Sequence, residues 1–428
     1  MNKLSQSLLL KQKALKLIPG CSQTLSKGPS QFVQGIAPVF LERGRGSHVW
    51  DVDGNKFIDY SMALGPIILG YNYPAVVAAV KKQLNSGTTF SLPHRLEVEL
   101  AELLCQIIPG AEMVRFAKNG SDATSGAVRL ARAYTGRDKI ACCGYHGWQD
   151  WYIGSTTRSQ GVPEQTRKST LTFEYNNIDS LRLIFKKNKD QIACVIMEPA
   201  GTIKPKDGYL AQVKKLTAEH KALLIFDEII SGFRLSLGGA GEFFGVTPDL
   251  ACFGKAMGNG FPISAIVGQR KIMRLFEQVF FSFTFGGEAV SIAAAIATIK
   301  ELRRKDVIQH LWKQGGKLKQ GFNALSTKYG YQEFIQSVGL APRTVVVFKY
   351  KSGRENLLLR SLFQQECIKR GLLFTGVHNV CLSHSDRDIA RTLSIYADCF
   401  KVISRAARKN RLSKLLKAKP VKPVFRQV

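Results

Sequence analysis

Short apolar runs, separated by stretches long enough for a helix, recur through the middle of this chain and constrain its fold more than any other feature. Met113 to Phe116, Lys139 to Cys143, Ile192 to Met197, Leu223 to Phe226, Leu250 to Phe253 and Ile263 to Val267 each hold four to six residues with few polar side chains. A run that is apolar at successive positions suits a strand buried on both faces, and strands alternating with helices pair in parallel. The region from about Tyr60 to Leu302 therefore reads as an α/β domain with a mostly parallel sheet covered on both sides. Ahead of it, Trp50 to Ile58 reads as a hairpin turning at Asp53-Gly54. Behind it, a strand at Arg343 to Phe348 and a helix at Leu357 to Arg370 indicate a smaller α+β domain, which the N-terminal segment joins. The expected boundaries are 1–59 for that segment, 60–304 for the large domain, 305–404 for the small domain and 405–428 for a basic tail. No internal repeat is visible.

Three elements of the large domain carry chemistry. Asp227 ends the run Leu223 to Phe226, and Lys255 follows 28 residues later in Phe253-Gly254-Lys255-Ala256-Met257-Gly258. A lysine between an apolar strand and a glycine-rich loop is set for a lowered pKa and close backbone approach, the needs of a Schiff-base lysine. A carboxylate at the end of a buried strand can hold a proton on a pyridine nitrogen; at roughly 4 Å and an effective dielectric near 20 that pair is worth about 4 kcal/mol. Each alone is weak, because a buried Asp is commonly a structural ion-pair partner and a lone Lys a surface residue. The third element is Lys118-Asn119-Gly120-Ser121-Asp122-Ala123-Thr124, small and polar, ahead of the helical pattern Ala127 to Thr135. Such a turn aims backbone N–H groups and a hydroxyl at a phosphate, and Gly120 and Ser121 fit that role. Together the three read as a site for pyridoxal 5'-phosphate.

With these residues on the page, the chain resembles the class III, fold type I, pyridoxal phosphate aminotransferases, and within them the glutamate-1-semialdehyde 2,1-aminomutase branch. The likeness runs from about residue 17 to about residue 400, through Trp50 to Asn55, Gly65 to Gly70, Arg129 to Arg137, Tyr145-His146-Gly147, Gly161-Val162-Pro163 and Asp227-Glu228-Ile229. It implies that Lys255 forms the Schiff base with the cofactor and that Asp227 pairs with its ring nitrogen. Tyr145 and Ile229 would stack on opposite ring faces, and Asn119, Gly120 and Ser121 would hold the phosphate. Thr284, in Ser282 to Gly287, would reach the phosphate of a neighbouring subunit, which implies a homodimer with shared sites. Read from the residues alone, Tyr145 is as readily a core aromatic and Thr284 a loop residue. His146 touches the cofactor edge or the substrate, or is a satisfied structural histidine. The polar stretch Gly154 to Ser169 reads as mobile, and its counterpart in the mutases is an active-site lid.

Two departures from the mutase pattern bear on substrate. The mutases receive the substrate carboxylate with a Ser and an Arg near the N-terminus, whereas this chain has Leu25-Ser26-Lys27-Gly28-Pro29-Ser30-Gln31-Phe32, where Lys27 is only a point charge. Leu64 stands where the mutases have Trp before Gly-Pro, which takes a flat wall from the pocket. The expected activity is transfer of an amino group between a small-molecule donor and a keto, aldehyde or sugar carbonyl; the alternative is intramolecular transfer of the mutase type, which the lid likeness favours. A silent binding protein is disfavoured because the lysine, the acid and the phosphate turn are all intact.

Composition sets the remaining expectations. No run of eighteen apolar residues exists, so no membrane span is expected, and Met1 to Ile18 lacks the apolar core of a secretory signal and reads as an amphipathic first helix. Nine cysteines without C-x-x-C spacing read as reduced core thiols of a cytoplasmic protein, and seven histidines without ligand spacing point to no metal. The net charge of +29 draws on Arg405 to Val428, which holds nine Lys or Arg and no acid. That tail reads as solvated and partly disordered, with attraction to an anionic partner as the other reading, and no signature of specific nucleic-acid binding accompanies it.

Overall fold

The computed structural model describes residues 3–409, 411–417 and 419–422. They fall into two compact units, one of Met1–Leu64, Ile68–Tyr73 and Gln309–Val428, the other of Gly65–Ile67 and Pro74–Ile308.

In the first unit, β1 (Leu41–Arg45), β2 (His48–Asp51) and β3 (Lys56–Asp59) form an antiparallel meander. Its second turn lies where Asp53-Gly54 predicts it. Asp51 Oδ1 accepts from Asp53 N at 3.1 Å and Asn55 N at 2.7 Å, while Gly54 adopts φ +85°, so glycine suits the corner. Asp53 in turn accepts from the backbone N of Gln6 (2.8 Å) and Ser7 (2.9 Å), and so caps the first helix, Ser5–Leu17, from far along the chain.

The other unit holds a seven-stranded sheet in the order β4-β10-β9-β8-β7-β5-β6. Its strands are β4 (Met113–Ala117), β5 (Lys139–Cys143), β6 (Thr170–Thr172), β7 (Ile192–Met197), β8 (Leu223–Asp227), β9 (Leu250–Phe253) and β10 (Ser264–Gly268). The pairs among β5 to β9 and β6 are parallel, and β10 runs antiparallel to both its neighbours. Every residue of β7, β8 and β9 is buried, as runs apolar on both faces require. The helix Gly120–Thr135 covers one face, packing Ala123, Ala127 and Leu130 on Ile196, Ile225 and Cys252. It approaches so closely that a Cβ on Gly126 would lie 2.7 Å from the Ile266 side chain.

This helix starts at Gly120, not near Ala127. Asn119 and Asp122 form a reciprocal capping box, with Asn119 Oδ1 accepting from Asp122 N at 3.1 Å, and that box recruits the small polar residues into the first turns. Strand β6 was absent from the sequence reading because three residues carry no periodicity. Within 154–169 the chain forms the short helix Glu164–Lys168 after turns.

The first unit is completed by β11 (Ile335–Leu340), β12 (Arg343–Phe348) and β14 (Val377–Asn379), an antiparallel sheet, and by β13 (Leu372–Leu373), which pairs in parallel with β3. Its core is aromatic, with Tyr60, Phe322, Phe348, Phe363, Phe374, Tyr396 and Phe400 in one cluster. The expectation of a solvated tail from Arg405 is corrected. Residues through Arg408 continue the helix Asp386–Arg408, Leu412, Leu415 and Leu416 pack on the core, and Val421 is 2% exposed. The rest of that call, 410, 418 and 423–428, lies outside the described residues.

Candidate active site

Strand β8 delivers Asp227 to the end of the sheet, 3% exposed. Its Oδ1 accepts from Ile229 N at 3.1 Å, and its Oδ2 faces His146 Nδ1 at 2.8 Å. The other ring nitrogen of His146 meets the carbonyl of Cys143 at 3.2 Å, and a carbonyl only accepts, so Nε2 carries a hydrogen. His146 is 2% exposed, its own carbonyl accepts from Thr124 Oγ1 at 2.8 Å, and its ring stacks on Trp151.

Tyr145 stands beside this pair, its ring half exposed and edge-on to Tyr152. Its backbone N donates to Glu198 Oε1 at 2.9 Å. Burial, with the Asp227 charge added, pushes its phenol above the ordinary value. Glu198 was not singled out from sequence, since an acid whose partner is a loop N–H leaves no pattern.

The N-terminus of the helix Gly120–Thr135 forms the second wall. Ser264 Oγ donates to Asn119 O at 2.7 Å and fixes the turn, while Ser121 Oγ accepts from Trp148 N at 3.2 Å. Gly147 has φ +112°, and a Cβ there would lie 2.2 Å from Ser121 Oγ. The Asn119 side chain and backbone N–H are both committed to the capping box, donating to Asp122 Oδ2 at 2.8 and 3.2 Å, so the anion donors of this turn are those of Gly120 and Ser121.

Lys255 opens the turn after β9, half-buried, with φ +35°. A non-glycine residue in the left-handed region is a strained conformation of the kind that collects at functional sites. Ile229 binds the two walls together, because a Cβ on Gly120 would lie 3.0 Å from its Cγ2 and one on Gly254 would lie 3.1 Å from its Cδ1. The contacts thus join Asp227, His146, Ile229, Gly120 and Gly254-Lys255 in one place, with Ser121 on the same rim. Thr284 is not among them: it sits in an exposed turn of the same chain and makes none of these hydrogen bonds.

Beneath Asp227 lies a second acid whose role the sequence did not reveal. Glu228 is 1% exposed and accepts from Ser231 Oγ (2.5 Å), Ala240 N (2.8 Å) and Gly241 N (2.7 Å). Burial pushes its carboxyl up to about 7. Arg234, also buried, donates to the carbonyls of Ile230 and Gly65. These groups close the loop that carries Ile229.

A rim of backbone N–H groups and a hydroxyl, glycines where a Cβ would intrude, a buried acid and a strained lysine fit a phosphorylated pyridine aldehyde. The fold is that of the fold type I pyridoxal phosphate transferases. The FumI protein of Sphingopyxis sp. MTA144, solved in its pyridoxal phosphate internal aldimine form, superposes with a TM-score of 0.88 at 29% identity, over 97% of this chain and 99% of that one. Residues 32–386 match the family model for class-III aminotransferases, and the chain belongs to that family of pyridoxal phosphate enzymes. It is 39% identical over 401 residues to the 3-aminobutyryl-CoA aminotransferase of Cloacimonas acidaminovorans, covering 91% of this chain and 95% of that one. It is 37% identical over 396 residues to the glutamate-1-semialdehyde 2,1-aminomutase of Persephonella marina, covering 86% and 92%. Among the described residues, no helix is long and apolar enough to cross a membrane.

Proposed function

We propose that this chain is an aminotransferase that uses Lys255 and Asp227 to pass an amino group from a small donor to a carbonyl substrate with an extended, anionic arm. The observation that carries the reading is the Asp227–His146 pair set beside Ile229, which packs against both the phosphate turn and the lysine turn. Bound pyridoxal phosphate supplies an electron sink for the pair left behind when a proton leaves the carbon bearing nitrogen. Lys255 Nζ would take that proton and return it to the carbon on the far side of that nitrogen. Asp227, with its charge shared by His146, holds a proton on the ring nitrogen. The N–H groups of Gly120 and Ser121 and the Ser121 hydroxyl bind the phosphate, and Ile229 and Tyr145 hold the ring from its two faces.

The arm is proposed from the two departures from the mutase pattern, Lys27 and Leu64, which within the first unit line one cavity of about 500 Å³ together with Cys21, Phe32, Val39 and Tyr71. Asp59, in the same wall, is answered by the Tyr71 hydroxyl and Ser61 N, both at 2.7 Å. Lys27 thereby gives the cavity a cation for an anionic end, and Leu64 gives it room. The 39% relative, named for an acyl-CoA thioester, is an example of such a substrate. The mutase reading stays as the alternative on the strength of the mutase relatives.

We further read the chain as a homodimer in which Thr284 reaches the partner's cofactor phosphate. Supporting this, the turn of Thr284 is flanked by the exposed rings of Phe280, Phe283 and Phe285, and a groove of about 610 Å³ runs beside it. Nine cysteines without a disulfide suit a reducing, cytoplasmic setting. The test of the catalytic reading is borohydride reduction of holoenzyme followed by peptide mapping, with Lys255→Ala alongside. Label on Lys255, and a variant that binds cofactor but does not turn over, support it; label on Lys118 overturns it.

A further inference from the structure

The helix Leu357–Lys369 contains three fully buried polar side chains on one side, Ser361, Gln364 and Gln365, at 0%, 1% and 0% exposure. Buried hydroxyls and amides require partners, and these find them at both ends of the chain. Gln364 Oε1 accepts from Val33 N at 2.7 Å, and its Nε2 donates to Gln31 O at 3.2 Å. Gln365 Oε1 accepts from Lys417 N at 2.9 Å, and its Nε2 donates to Leu415 O at 3.1 Å. Ser361 Oγ accepts from Val421 N at 3.0 Å while donating to Leu357 O. The two ends then bind each other: Lys422 N donates to Ser30 O at 2.9 Å, and Gln31 Nε2 donates to Lys422 O at 2.8 Å. Every base of this segment points outward, with Lys414, Lys417, Lys419 and Lys422 exposed, whereas Val421 is buried.

We infer that residues 415–417 and 419–422 form a strap that positions the segment Ser22–Phe32, the wall of the Lys27 cavity, through its backbone and Val421 and not through its charge. The strap lies beyond the stretch matched by the family model, which ends at residue 386. Its bearing on specificity rests on the proposal that this cavity takes the substrate's arm. Segment 28–33 is held by the 3-10 turn Pro29–Gln31, by the Gln364 amide on Val33 N, and by the packing of Phe32 and Val33, while Ser30 and Gln31 take their outer partner from the strap. Removing the strap leaves Gln31 and Ser30 without their outer partner and loosens the wall that presents Lys27.

The experiment uses full-length holoenzyme with Val421→Asp, Val421→Ile, and a fourfold Lys→Gln change at 414, 417, 419 and 422. Val421→Asp is expected to speed amide exchange over residues 28–34 at least tenfold, leave exchange in β12 as in the parent, and raise the KM for the carbonyl substrate several-fold with kcat and the cofactor's visible spectrum unchanged. Val421→Ile and the fourfold variant are expected to match the parent in all of these. A stop codon at position 417 serves as the second variant if Val421→Asp does not fold, and is expected to give the same exchange pattern. Parental exchange over 28–34 in Val421→Asp, or loss of protection in the fourfold variant, overturns the strap. Faster exchange with an unchanged KM upholds the strap and refutes the cavity as the place of the substrate's arm.

Discussion

Replacing Asp227 by Asn tests the proposed site most directly, because the change removes a charge and keeps the shape. In the parent, the carboxylate is almost fully buried and answered by His146 and Ile229 N. Asparagine can still satisfy both: with Nε2–H held on the Cys143 carbonyl, neutral His146 accepts at Nδ1 from the new amide. Folding stability should therefore stay within about 1 kcal/mol of the parent, the ordinary scale of an exchanged hydrogen bond. What disappears is the negative charge near the ring nitrogen. At roughly 4 Å and an effective dielectric near 20 that charge is worth about 4 kcal/mol, or about three powers of ten in rate. The assay is a single half-reaction with excess amino donor, followed by the change in the cofactor's visible spectrum in a stopped-flow instrument, with cofactor content measured on the same sample. A thousandfold slower half-reaction at full cofactor content is expected. A rate within tenfold of the parent would refute the role given to Asp227, however the stability came out.

His384 and His378 give a pH prediction. Burial lowers them to about 4 and about 3, below their unfolded value, so the unfolded chain takes up protons first as pH falls. Their contribution is complete above pH 6.5 and is lost as pH drops toward 4; at pH 5 the loss is about 2 kcal/mol per ring. Urea midpoints at pH 7.5 and 5 should differ accordingly, and the difference should shrink in a His378→Gln, His384→Gln double variant. Gly147→Ala would force a Cβ onto the Ser121 hydroxyl at a backbone angle that disfavours it, and cofactor affinity measured by dialysis should fall tenfold or more. Lys27→Ala should raise the KM for an anionic carbonyl substrate about tenfold with little change in kcat, and an equal effect on an uncharged substrate would speak against its role. A mixed dimer of one Lys255→Ala chain and one Thr284→Ala chain should regain about one good site if Thr284 acts across a dimer.

The contrast between what the sequence discloses and what it hides follows from where each residue's partners lie. Strands β7, β8 and β9 are legible because burial on both faces writes an apolar residue at every position. The places of Asp227 and Lys255 are legible because the first ends such a run and the second follows one after a single glycine. The helix at Gly120 was placed late because glycine, serine and threonine are poor helix formers, and the capping box that overrides them involves just two side chains. Glu228 and Glu198 were passed over for a different reason: their partners are backbone N–H groups of loops, which no residue pattern encodes. The docked tail was misread because its anchors, Ser361 and Gln365, lie sixty and fifty residues from their partners in a helix whose polar positions look like a solvent face.

The stitching of both chain ends to one helix also sets an order of events during synthesis. Pro74–Ile308 is a continuous stretch and holds its whole sheet, so it can fold while the ribosome is still at work. The segment around Gln31 and Val33 cannot: its partner Gln364 emerges more than three hundred residues later, and Lys422 later still. At about 5 to 20 residues per second, those first residues wait roughly 20 to 80 s before their binding surface exists. Throughout that interval the segment around Gln31 and Val33, made early, has no surface on which to dock, and Val33, fully buried in the folded chain, stays open to solvent.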